Sequence, residues 1–167
     1  MSSTLSYKPA TLAHLDVIAD LEAKSYHPDE AASREQLANR IKYATESDPN
    51  LFLVAWQGET IAGFVCTTLG AAPLVTDESM KAHDPNGKTV CLHSVCVNPQ
   101  VRRQKVATRL MAHWIQVLKD SSKYNRIALL SRPNLIGLYE SVGFKNSGKS
   151  QVVHGPDPWY DCILELQ

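Results

Sequence analysis

The sequence predicts an α/β fold, a mixed sheet flanked by about four helices. Three observations lead there. Apolar, β-branched runs alternate with stretches whose apolar residues recur at helical spacing. No repeat, low-complexity tract or long linker divides the 167 residues, so 1–167 read as one domain. The clearest segment, Thr89 to Leu118, reads as a buried strand, a tight basic turn and a helix. That succession places unpaired helix N–H groups and a positive dipole end at the turn. Such a turn suits an anion, and a pyrophosphate is its usual occupant.

In chain order, Leu5 to Lys8 is strand-like and ends at Pro9. Thr11 can cap a helix carrying Leu12, Leu15, Ile18 and Leu21 on its apolar face, with Ala19 beside them. That helix fails at Ser25-Tyr26-His27-Pro28, because proline disfavours helical dihedrals in the residue before it. A second helix opens at Pro28 or Asp29, buries Leu37, Ile41 and Ala44, and stops at Asp48-Pro49-Asn50. Leu51 to Trp56 and Thr60 to Leu69 pair as a hairpin through Gln57-Gly58-Glu59. Residues 71–87 read as a surface loop with a short helix near Asp77 to Ala82, and nothing in them is diagnostic.

Val90 to Val97 is the central strand, stopped by Pro99, and Val106, Leu110, Met111, Trp114, Val117 and Leu118 form one face of the next helix. Arg126 to Ser131 is another buried strand. Leu135, Leu138 and Tyr139 mark a short helix that Gly143 ends in a left-handed cap. Phe144, Val152-Val153 and Trp159 to Leu166 supply the last strands, with turns at Asn146 to Gly148 and Gly155 to Pro158.

Composition narrows the function classes. Seventeen basic residues balance 17 acidic ones, so no global field draws the chain to nucleic acid or an anionic membrane. The basic residues at 102, 103 and 105 are a local patch, better matched to a small anion. Cys66, Cys91, Cys96 and Cys162 form no CxxC pair and no ligand ladder with histidine, which predicts no metal and a reduced compartment. No apolar run reaches the roughly 20 residues of a membrane span, and residues 1–10 lack signal-peptide features. The expected setting is cytoplasmic, as a monomer or weak dimer.

The strand, the run Arg102-Arg103-Gln104-Lys105-Val106-Ala107-Thr108 and the helix resemble the acetyl-CoA-binding motif of the GNAT acetyltransferases, whose turn reads Arg/Gln-x-x-Gly-x-Gly/Ala. Arg102 fits its first position and Ala107 its last, while Lys105 stands where the motif has glycine. Asn134 through Gly143-Phe144 resembles that family's second cofactor motif. The segments 25–33, 92–97 and 138–144 together resemble the arylalkylamine N-acetyltransferases, and fungal polyamine acetyltransferases share much of the pattern. Cys91 stands where the vertebrate arylalkylamine enzymes have the first of two histidines. The resemblance implies a GNAT-type fold with a mostly antiparallel sheet, acetyl-CoA as co-substrate and a small primary amine as acceptor.

Such an amine has a pKa near ~10.4 and arrives protonated, so a base must remove its proton. Strand alternation puts Cys91, His93, Val95 and Val97 on one face. By the resemblance His93 is the base; without it, His93 reads as a hydrogen-bonded structural residue. Tyr139 becomes the general acid for the departing thiolate, where its position alone says core. Cys91 is expected to pack, and Cys96 or Ser94 as a covalent nucleophile is a minor option. Backbone N–H groups of Val95, Cys96 and Val97 would hold the oxyanion. Arg102, Arg103, Gln104, Lys105, Val106, Ala107 and Thr108 would bind the pyrophosphate, and Asn134 the arm of the cofactor.

The same topology brings Tyr26, Pro28, Asp29, Trp159 and Tyr160 toward the acceptor, where aromatic groups suit a ring or an alkyl cation. Asp29, Glu30, Asp157 and Asp161 suit a diamine or polyamine. Two other readings stay open: a non-catalytic CoA-binding protein, motivated by Lys105 and the missing histidine, and a protein or peptide N-acetyltransferase.

Overall fold

The structure is a computed structural model, and it describes residues 4–28, 30–101, 105–152 and 158–167. Its seven strands are β1 (Ser6–Pro9), β2 (Phe52–Gln57), β3 (Thr60–Gly70), β4 (Thr89–Val97), β5 (Arg126–Ser131), β6 (Lys145–Lys149) and β7 (Tyr160–Glu165). The helices are α1 (Leu15–Ser25), α2 (Arg34–Ser47), α3 (Asp77–Lys81), α4 (Val106–Ser121) and α5 (Ile136–Ser141). The sheet order is β1-β2-β3-β4-β5-β7-β6. It is a mixed sheet: β4 and β5 pair parallel, whereas β1–β2, β2–β3, β5–β7 and β6–β7 pair antiparallel.

The chain divides into two compact units, Met1–Thr67 with Ser94–Trp114, and Thr68–His93 with Ile115–Gln167. In the first unit, Leu15, Ile18 and Leu21 of α1 and Leu37, Ile41 and Ala44 of α2 are buried, as their spacing predicts. Leu12 is the exception at 47% exposed: a 3-10 turn over Leu12–His14 precedes α1 and rotates it off the apolar stripe. The second helix starts later than expected, at Arg34. Ser33 Oγ accepts the Gln36 N–H at 3.1 Å and Gln36 Oε1 accepts the Ser33 N–H at 2.9 Å. This reciprocal capping box outweighs the proline signal at 28, and residues around His27 form a turn in which its carbonyl accepts the N–H groups of Glu30 and Ala31.

The β2–β3 hairpin turns at Gly58, whose φ of +60° suits glycine. At Gly63 the backbone of β4 comes so close that an added Cβ would lie 2.5 Å from the Cys96 carbonyl oxygen.

In the second unit the β4–β5 ladder covers Thr89–Leu92 against Arg126–Leu129. The loop after β3 is anchored at both ends. The Leu69 N–H donates to His83 Nδ1 at 3.0 Å, the Asp84 N–H donates to Leu69 O at 2.9 Å, and a Cβ at Gly87 would lie 2.4 Å from Gly70 O. Val75 from this loop is buried with Cys91 and Ala128, with Met80 and Leu130 packed against them. Two expectations fail near the C-terminus. Asn146–Gly148 is a bulge inside β6, with the Gly148 N–H on Asn146 Oδ1 and φ +105°, rather than a turn. Val152 lies outside any strand, and Val153 lies outside the described residues.

Gly63→Ala should therefore destabilise the fold by about 1–3 kcal/mol, because backbone cannot yield to a new methyl. A lower urea midpoint at unchanged slope is the expected result; an unshifted midpoint contradicts the close approach.

Candidate functional site

In the first unit, β4 exposes one edge that a phenol occupies. The Asn98 N–H donates to Ala62 O at 2.8 Å, so alternate N–H groups on this stretch, those of Val95 and Val97, point away from β3. The Val95 N–H donates to Tyr26 Oη at 3.0 Å, and the Tyr26 hydroxyl donates to Val95 O at 3.1 Å. One half-buried tyrosine thus satisfies both backbone groups of Val95. The Val95 amide is therefore engaged by Tyr26, and the Tyr26 hydroxyl ties a turn to a strand. Pro28 is exposed beside it.

Glu22 was not singled out from the sequence, yet it organises this region. It is 2% exposed; Oε2 accepts the Ala32 N–H at 2.8 Å, and Oε1 lies 3.6 Å from Cys96 Sγ. Its signal was legible, since Glu22 falls four residues after Ile18 on the apolar stripe of α1. Burial, with the Glu22 carboxylate adding to it, holds the Cys96 thiol well above its ordinary range. A covalent role for Cys96 at neutral pH is thereby disfavoured. Ser94 is buried.

At the start of α4, Lys105 has φ +55°, a left-handed conformation that favours glycine. Its carbonyl accepts the Arg109 N–H at 2.9 Å, so it is the residue from which the helix begins. Val106 is buried, Ala107 and Thr108 are half-buried, and Lys105 is exposed. The first N–H groups of α4 have no partner within the helix. Arg102, Arg103 and Gln104, like Asp29 and Asp157, lie outside the described residues.

In the second unit, His93 is half-buried on β4, with Nε2 2.7 Å from Thr68 Oγ1, and the Thr68 hydroxyl donates to Ser79 O at 3.3 Å. A hydroxyl has one hydrogen. Giving it to Ser79 makes Thr68 accept from Nε2–H, which leaves the lone pair on Nδ1. Neither Thr68 nor Ser79 was anticipated; the available signal was a buried polar pair, Thr67-Thr68, within an apolar run.

Tyr139 is 8% exposed on α5, edge-on to Phe144 with ring centroids 5.8 Å apart. Asn134 is exposed in the 3-10 turn Pro133–Leu135 before that helix. The Trp159 ring carries the Arg132 guanidinium 5.0 Å from its centroid, so a cation already holds a place on this aromatic surface. Tyr160, half-buried, is held in β7 against Ser131 and Lys149. Cys91 is buried, and burial pushes its thiol up to about 11. Among the described residues no group of three or more His, Cys, Asp or Glu could hold a metal ion, and no helix is long and apolar enough to cross a membrane.

A family model described as the Acetyltransferase (GNAT) family matches residues 15–144. Serotonin N-acetyltransferase of Mesocricetus auratus is 27% identical over 117 residues, 70% of this chain and 56% of that protein, so the chain spans little more than half its length. Among solved structures, the loading GNATL domain of CurA from Lyngbya majuscula superposes with a TM-score of 0.84 at 13% identity, covering 99% of each chain. A GNAT-like decarboxylase, GphF, in complex with isobutyryl-CoA superposes at 0.82 and 18% identity, covering 97% of this chain and 100% of that one. These two likenesses concern the fold.

The geometry has two measurable consequences. Lys105→Gly should raise stability by up to about 1 kcal/mol by relieving the left-handed strain, read as a higher melting temperature; a clear fall would contradict it. Burial also raises the thiols of Cys66 to about 12 and of Cys162 to about 11, against an ordinary 9.0. A folded-state value above the unfolded one contributes stability that is complete below pH 9.0 and is lost as pH rises through 11 to 12. Urea midpoints should accordingly fall above pH 9.0, and native thiols should resist alkylation at neutral pH.

Proposed function

The chain belongs to the GNAT acetyltransferase family, and on that premise we propose that it transfers the acetyl group of acetyl-CoA to a small primary amine, arylalkylamines first and polyamines close behind. The observation that carries this reading is His93, half-buried on the central strand with Nε2 fixed by Thr68. The 27% identity to serotonin N-acetyltransferase supports the order of substrates.

The chain's residues suit the co-substrate. A 16-residue helix that starts at Val106 offers unpaired N–H groups at Val106, Ala107 and Thr108. Lys105 adds a positive charge, and Arg102, Arg103 and Gln104 belong to the same turn in sequence. Asn134 would contact the pantetheine arm. Bound there, acetyl-CoA supplies a thioester carbonyl that an amine can attack without a covalent enzyme intermediate.

His93 accepts a proton from the ammonium group, directly or through ordered water, which exposes the nitrogen lone pair. The imidazolium so formed keeps its Nε2–H on Thr68, whose hydroxyl in turn donates a hydrogen bond to Ser79 O, so the positive charge is stabilised by an ordered donor chain. By the family resemblance, backbone N–H groups in the second half of β4, Val97 among them, would hold the oxyanion charge, and preorganised donors of this kind carry much of acyl-transfer catalysis. Tyr139 supplies the proton that converts the departing thiolate to free thiol and recovers one from the new amide nitrogen. The products are the N-acetylated amine, CoA thiol and a proton.

Release of free thiol from acetyl-CoA with tryptamine, phenethylamine or spermidine tests the reading. His93→Ala should lower kcat by about 10²-fold or more near neutral pH, Thr68→Val by less, and Tyr139→Phe should lower kcat more than it changes KM. Rates at background across the amine panel would sink the proposal. The strain at Lys105 favours one second reading, a CoA-binding protein without turnover. Calorimetric CoA binding combined with no acetylation of any amine or peptide would support that reading instead.

A further inference from the structure

One buried charge in the second unit has no part in the chemistry above. Asp161 stands on β7 between Leu130 of β5 and Gly148 of β6. It is 7% exposed, and its Oδ1 is shielded from solvent without a hydrogen-bond partner. Ser150 donates to the carboxyl group, and among the described residues no basic side chain offsets its charge; burial is the stronger influence and pushes the carboxyl above its ordinary range. A purely structural residue at this place in a sheet would be less costly as asparagine, serine or valine.

The register places this carboxylate relative to His93. Cys91 pairs with Ala128, and Ala128 pairs with Ile163, so these three project to one face. Two residues along each strand from Cys91 and Ile163 stand His93 and Asp161, on that same face. Two strand spacings, about 10 Å, separate Cys91 from Ile163, and the β4–β5 ladder ends at Leu92, one residue before His93. Leu130, the Cα partner of Asp161, packs with Met80 against Val75, Cys91 and Ala128. This face therefore carries an imidazole and a buried carboxylate, with apolar residues of β5 between the two strands and Val75 and Met80 of the loop bearing α3 packed beside them.

We propose that Asp161 is a specificity-determining residue of the acceptor site, receiving the distal ammonium of a diamine whose other nitrogen is acetylated beside His93. This rests on the acetyltransferase reading. An ammonium group supplies both things the Asp161 oxygen lacks, a donor and a compensating charge. With each nitrogen about 3 Å from its protein group, at least roughly 4 Å separates the two nitrogens, a span that a four-carbon diamine can bridge. The apolar residues between suit the methylenes. A monoamine of the same length would leave the carboxylate uncompensated, which is the basis of the discrimination.

The test compares 1,4-diaminobutane with n-pentylamine, in which a methyl replaces the second ammonium. The full chain with acetyl-CoA should prefer the diamine in kcat/KM by tenfold or more, and Asp161→Asn should reduce that ratio to about twofold or less. The ratio isolates the distal group, because a general structural defect lowers both rates together. Asp161→Asn should melt at the same temperature or higher, since it removes a desolvated carboxylate. A wild-type ratio near one, or a ratio unchanged by Asp161→Asn, overturns the proposal while leaving amine acetylation intact. If neither amine nor tryptamine is acetylated, the transferase reading falls. Calorimetry of 1,4-diaminobutane on the CoA-loaded chain then decides Asp161 separately: tenfold weaker binding by Asp161→Asn supports the ammonium site, and equal binding overturns it.

Discussion

A buried strand cannot leave its backbone N–H and carbonyl groups unpaired, and β4 is where this chain meets that constraint. Its ladder with β5 covers Thr89–Leu92, yet the strand continues to Val97. Beyond the ladder a side chain takes over: the Tyr26 phenol accepts from the Val95 N–H and donates to the Val95 carbonyl. Asn98 then closes the strand, its N–H on Ala62 O and its Nδ2 donating to Ile61 O at 2.9 Å. The segment after α1 follows from the same need, because Glu22, buried in that helix, holds the Ala32 N–H.

The second unit meets the cost of buried polar groups in a different way. His93, Thr68 and the Ser79 carbonyl form a chain in which each hydrogen has one acceptor. That chain depends on the 71–87 loop, and the loop depends on tight backbone contact between Gly70 and Gly87. The face that carries the histidine also carries Asp161, the described carboxylate with a buried, unpartnered oxygen. Lys105 is a third point of tension, held in a conformation that suits glycine at the residue from which α4 begins. Departures of this kind from local preference concentrate where binding demands them.

Much of the fold was legible because periodicity reports burial. Leu37, Ile41 and Ala44, the β2–β3 hairpin, the apolar face of α4 and the Gly143 cap all follow from local spacing and turn chemistry. Boundaries set by a side-chain cap were less legible: Ser33 and Gln36 moved the start of α2, and a bulge at Asn146–Gly148 was mistaken for a turn. Within the candidate site, His93 and Tyr139 are proposed through motif resemblance. Thr68, Ser79, Glu22 and Arg132 are not, because each acts through a contact with a residue distant in sequence.

The sequence by itself determined the family, the alternation of strand and helix, and the side of β4 on which His93 lies, since each is encoded in residues adjacent or periodic along the chain. Only the tertiary structure decided which polar groups find partners. It assigned the Val95 backbone to Tyr26 and His93 Nε2 to Thr68, and it left Asp161 Oδ1 buried without a donor. The reason is physical: a hydrogen bond depends on distance and direction in space, and spacing along the chain carries neither.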